Sequence, residues 1–176
     1  MVTVVIPGFS VKNKKWAEAA AKEIKLDHVV RPILWSHWED SEKKFDPEEK
    51  ANDIIDVLLK DQVNIIAKSI GTLVAIFMIK KINTRIEKVI LCGIPLNDIE
   101  EREKEEIRNA LKAFPVEKII CFQNQDDPHG SYDQVKKFLS EISPDIKLVL
   151  KSGEDHEYPY YSEFQSFLKN FEGTGF

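Results

Sequence analysis

The sequence predicts a three-layer α/β/α sandwich on a mostly parallel sheet of six strands. Three observations lead there. Short runs rich in Val and Ile alternate along the chain with longer segments of helical composition. The runs are continuously apolar, as in Val2-Thr3-Val4-Val5-Ile6 and Val89-Ile90-Leu91-Cys92, which suits strands covered on both faces. Turn residues follow them, including Pro7-Gly8, Pro32, Gly71 and Gly93. Strands separated by helices need crossover connections, and strands joined that way lie parallel.

In chain order, Val2 to Ile6 is the first strand, and Trp16 to Ile24 has helical spacing and strong helix formers. Val29-Val30 makes a short second strand ended by Pro32. The stretch from Ile33 to Phe45 is irregular, with Trp35, His37 and Trp38 among polar residues. Asp46-Pro47 then caps a helix running to about residue 60. Val63 to Lys68 is the third strand, followed by an apolar helix to Ile82. Val89 to Cys92 is the fourth, followed by a charged, solvated helix from Asp98 to Ala113. Lys118 to Phe122 is the fifth, with a helix from Tyr132 to Ile142. Ile146 to Leu150 is the sixth, with a closing helix from Tyr160 to Phe171 and a frayed end at Gly173 to Phe176.

The 176 residues suit one domain, residues 1–176, with a core that needs neither disulfide nor metal. A formal net charge of −5 argues against nucleic acid as a partner, since such surfaces are usually basic. No apolar run approaches the roughly 20 residues of a membrane helix, and Val2 to Ile6 is too short for a signal peptide. A cytoplasmic setting without membrane contact is therefore expected. Cys92 and Cys121 both sit in strand-like runs, as buried free thiols do in a reducing compartment.

Three loops carry groups that can do acyl chemistry. Between the third strand and its helix, Ala67-Lys68-Ser69-Ile70-Gly71 places a serine among small residues at a sharp turn. The plainer reading of Ser69 is a helix N-cap. A serine hydroxyl attacks an acyl carbon only with an imidazole to take its proton and a carboxylate to orient that imidazole. After the fifth strand come Asp126-Asp127-Pro128, and after the sixth Gly153-Glu154-Asp155-His156. Loop aspartates also cap helices and solvate turns, and loop histidines are commonly just exposed. Lys68 cannot form a dyad with Ser69, because neighbours on an extended strand point to opposite faces; a snorkelling side chain is expected there.

The turn around Ser69 resembles the nucleophile elbow of the α/β-hydrolase superfamily, G-x-S-x-G, with Gly71 in place and Ala67 standing for the first glycine. The order Ser, Asp, His, each after a parallel strand, is that superfamily's order. The resemblance runs from Val2 to about Phe171 and points to its small, single-domain, lidless serine hydrolases. It implies sheet order 2-1-3-4-5-6. It also implies Ser69 as nucleophile, Asp127 as acid and His156 as base, with Asp126 and Asp98 as alternative acids. Oxyanion donors would be the backbone N–H groups of Phe9 and Ile70, because Pro7 has none.

The resemblance implies no cofactor and no metal. Trp35, Trp38 and Tyr158, near predicted strand ends, are candidates for an apolar acyl pocket, together with Phe9 and Tyr160; the alternative for several of them is packing between helices as core, the commoner fate of aromatics. The expected activity is hydrolysis of a small ester or thioester, or less readily an amide, through an acyl-enzyme. The alternative is a hydrolase-fold protein that has lost catalysis and binds another protein.

Overall fold

In the computed structural model, which describes residues 1–40 and 42–169, six strands form one parallel sheet in the order β2-β1-β3-β4-β5-β6. The strands are β1 (Val2–Ile6), β2 (Val29–Pro32), β3 (Val63–Lys68), β4 (Ile86–Cys92), β5 (Ile119–Asn124) and β6 (Lys147–Lys151). A helix follows each: α1 (Asn13–Glu23), α2 (Pro47–Leu58), α3 (Ile70–Ile82), α4 (Glu101–Ala113), α5 (Tyr132–Ile142) and α6 (Tyr161–Lys169). The frayed end expected at residues 173–176 lies outside the described residues.

Alternation along the inner strands sorts the core into two layers. Val4 and Ile6, Ile65 and Ala67, Val89 and Leu91, Ile119 and Cys121 face α2, α3, α4 and α5. Val5, Ile66, Ile90 and Cys92, Ile120 and Phe122 face α1 and α6, where Trp16, Phe164 and Leu168 cover them. Burial on both faces is why these strands read as unbroken apolar runs. The edge strands β2 and β6 are half-exposed, and β2 ends in a proline, which an edge strand tolerates. Helix α3 is buried nearly all round, between α2 and α4.

Several boundaries differ from the sequence reading by one to three residues, and two of these shifts have a plain local cause. Strand β4 starts three residues early, at Ile86, because Glu87 and Lys88 extend it beyond the apolar run at the half-exposed end of the sheet. Helix α4 starts at Glu101 instead of Asp98. Glu100 and Glu103 form a reciprocal capping box there, leaving Asp98 in the preceding loop. No described helix is long and apolar enough to cross a membrane.

Candidate active site

Ser69 sits at the junction of β3 and α3 with φ 58° and ψ −132°, a left-handed conformation that costs a non-glycine residue about 1–3 kcal/mol. Its backbone is held on both sides: Ser69 N–H donates to Cys92 O at 3.0 Å, and Ser69 O accepts from Thr72 N–H and Oγ1 at 2.8 and 2.7 Å. Although Ser69 occupies the N-cap position of α3, its side chain makes no capping hydrogen bond. The strain therefore presents the hydroxyl and does not serve the helix. A Cβ added at Gly71 would lie 2.5 Å from Ile6 O and 2.7 Å from Pro7 O, so only glycine lets α3 start this close to the end of β1. The methyl of Ala67 is fully buried among the α2–α5 side chains and displaces nothing.

The carboxylate and imidazole come from the loops after β5 and β6. His156 Nδ1 lies 2.6 Å from Asp127 Oδ2, and the same oxygen accepts from the Tyr158 hydroxyl, while Asp127 Oδ1 accepts from His129 N–H at 2.8 Å. Burial alone pushes the Asp127 carboxyl up. The bonds from His156, Tyr158 and His129 outweigh it, leaving the carboxyl below its ordinary pKa. Burial, together with the neighbouring Asp127, raises Tyr158 far above the usual phenol range, so it remains a donor. With Nδ1–H committed to the carboxylate, Nε2 of His156 is the face with the lone pair. That atom is buried and has no hydrogen-bond partner among the described residues.

Gly93 ties the imidazole to the serine. It follows Cys92, whose carbonyl holds Ser69, and with φ 59° it is so close to the histidine loop that an added Cβ would lie 2.9 Å from His156 Cε1. The serine backbone and the imidazole edge thus each lie against the same corner of the sheet, one on Cys92 O and the other on Gly93.

No protein-family model matches this sequence, and no curated protein does. Solved structures match almost its whole length. An α/β serine hydrolase homologue from Coxiella burnetii aligns with a TM-score of 0.70 at 17% identity, covering 96% of this chain and 83% of that one. A protein from Pectobacterium atrosepticum described as a YdeN-like hydrolase gives 0.68 at 18%, covering 94% and 89%. A lidless α/β serine hydrolase from Xanthomonas campestris gives 0.68 at 14%, covering 96% and 78%. The chain has the α/β-hydrolase fold.

Within that fold the other expected residues divide. Of the three acids considered, Asp127 meets His156. Asp126 is exposed, and Asp98 instead holds Nδ1 of His129 at 2.5 Å, whose ring lies 4.3 Å from that of His156. Ile70 opens α3, where the first N–H groups have no intrahelical acceptor. Phe9 lies in the loop after β1 with its ring exposed. Two pocket candidates need correction. Tyr158 is completely buried beneath His156, bonded to Asp127 and Asn124, and offers a substrate no surface. Trp35 is only 3% exposed, with its indole N–H turned onto the backbone of the β1 loop. Trp38 is half-buried, with its indole N–H on Phe9 O.

Lys68 also departs from expectation. It does not snorkel: it is 1% exposed, on the α1 face of the sheet, with Nζ 2.9 Å from Asn13 Oδ1, 3.0 Å from Glu157 Oε2 and over the Trp16 ring. The residue before the serine is thereby tied to the residue after the histidine. Asn124 fastens the same loop from β5, its Nδ2 donating to the carbonyls of Asp155 and Glu157 at 2.9 Å each. No spacing rule announces these ties.

Proposed function

We propose that the protein is a serine hydrolase cleaving a small ester or thioester through an acyl-enzyme, with Ser69 as nucleophile, His156 as base and Asp127 as orienting acid. One observation carries the reading: His156 is fixed through Nδ1 to a buried carboxylate and keeps Nε2 unpartnered at the corner where Ser69 is displayed. Ser69 Oγ attacks the acyl carbon as His156 Nε2 takes its proton. The carbonyl oxygen gathers negative charge, received by the N–H groups of Phe9 and Ile70. The imidazolium, steadied by Asp127, then protonates the leaving alcohol or thiol. Water repeats the sequence on the acyl-enzyme, its proton passing to His156 and its oxygen to the acyl carbon, and Ser69 is restored.

The partner in this reading is a small acyl compound, with no nucleic acid, membrane or cofactor. We place the reaction in the cytoplasm, where Cys92 and Cys121 remain reduced; both are free, and they sit on opposite faces of the sheet. A fluorophosphonate probe tests the assignment. Fast labelling that maps to Ser69 and vanishes in His156→Ala is expected, alongside turnover of a short-chain aryl ester. Neither labelling nor turnover in the folded wild type would leave the protein-binding alternative in its place.

A further inference from the structure

We infer that Trp35 is a positioning residue, one that aims the Phe9 N–H at the oxyanion by holding the carbonyl on the other side of the same peptide. The inference rests on the hydrolase reading above and assigns a role to a residue that does not touch the substrate.

The loop after β1 is only a few residues long, yet each carbonyl from Pro7 to Ser10 is held. Trp35 Nε1–H reaches both Pro7 O and Gly8 O at 3.2 Å. Phe9 O accepts from Trp38 Nε1 at 2.7 Å and from His37 Nε2 at 2.8 Å. Ser10 O accepts from Asn13, through its backbone N–H at 2.9 Å and its Nδ2 at 3.1 Å.

No cis peptide occurs among the described residues, and in a trans peptide the C=O of one residue and the N–H of the next point in opposite directions. Fixing Gly8 O therefore fixes the direction of the Phe9 N–H. Gly8 lies against the nucleophile, since a Cβ added there would be 3.1 Å from Ser69 Cβ. Among the described residues Trp35 is the side chain on Gly8 O. It is itself clamped, edge-on to Phe45 with ring centroids 5.2 Å apart and packed into the core. The contacts of His37 and Trp38 govern the following peptide, hence the Ser10 N–H. The division makes Trp35 the specific handle on the proposed oxyanion donor. A buried indole also needs an acceptor, and here the acceptor is the loop itself.

The test removes the donor and keeps the ring. For Trp35→Phe, kcat on a short-chain aryl ester should fall about 10- to 100-fold, up to the loss expected for one missing oxyanion donor, with KM within about twofold. The inhibition constant of a boronic acid transition-state analogue should rise by the same factor as kcat/KM falls. A merely structural role would lower the melting temperature without separating the analogue from KM. Benzothienylalanine at position 35 keeps the indole's shape without its N–H, and it serves if the phenylalanine variant does not fold. Wild-type kcat and analogue affinity in either folded variant would overturn the inference alone. A wild type that neither turns over the ester nor binds the boronate would overturn the hydrolase reading, and this inference with it.

Discussion

On the β5–β6 flank of Ser69 the proposed working groups are side chains held by other side chains; on the β1–β2 flank the proposed working group is a backbone amide, that of Phe9, held through the carbonyl of its own peptide. Asp127, His156 and Tyr158 form the first flank, with Lys68–Glu157 and Asn124 bracing its loop. Trp35, His37, Trp38 and Asn13 brace the second without supplying a reacting atom. A side-chain site is specified by which residues converge. A backbone site is specified by how a loop is turned, so its essential residues are ones that never meet the substrate.

The largest expected effect tests whether both flanks serve one nucleophile. Ser69→Ala should lower ester turnover by roughly 10⁴-fold or more and leave the melting temperature close to that of the wild type. Turnover that survives would detach both flanks from this serine.

That asymmetry also explains what the sequence could reveal. The parallel sheet follows from apolar runs alternating with helices, its strand order from the resemblance to the α/β-hydrolase superfamily, and the grouping of three loops from the need of a serine for an imidazole and of an imidazole for a carboxylate. Asp127 and His156 are indeed bonded. Trp35 and Tyr158 are legible as aromatics near strand ends, with pocket and core both open to them; the structure puts both in the core. Nothing in the sequence around them distinguishes an indole facing a substrate from one facing a carbonyl. Lys68 was illegible for a related reason: its partner Glu157 is far away in the chain, and only the fold brings the two together.

The Lys68–Glu157 tie gives the next effect, and its sign distinguishes bracing from mere proximity. Lys68 is 1% exposed, whereas the Glu157 side chain is 65% exposed. Removing Glu157 leaves a buried ammonium with one amide oxygen and an aromatic face. Removing Lys68 returns a carboxylate to water. Glu157→Ala should therefore cost about 2 kcal/mol of stability, and Lys68→Met clearly less, as read from urea midpoints. Both should lower kcat severalfold as the histidine loop loosens. Equal stability losses would mean that the buried ammonium does not depend on this partner.

A smaller effect concerns acid. Because the Asp127 carboxyl is held below its ordinary pKa in the folded chain, its charged form adds stability at pH values above the unfolded carboxyl range, near 4. That contribution is lost as pH falls through the lowered folded value. The stability gap between wild type and Asp127→Asn, measured by denaturant titration, should be flat from pH 7 to about pH 5 and narrow on further acidification. A gap that widens in acid would contradict the bonds that His156, Tyr158 and His129 give this carboxyl.

The smallest effect falls where the two flanks meet, at Ala67. Its register partners are Ile6 at the foot of the oxyanion loop and Leu91 beside Cys92, and its methyl is enclosed by the α2–α5 layer. Ala67→Gly restores the usual G-x-S-x-G spelling, yet it removes a fitted methyl and loosens the strand that delivers Ser69. The close approach on which the turn depends is made at Gly71, against Ile6 O and Pro7 O, and is unaffected. The substitution should therefore cost about 1 kcal/mol by thermal unfolding and leave kcat within about twofold. A large gain in kcat would show that the alanine strains the turn and that the elbow is tuned from β3, independently of either flank.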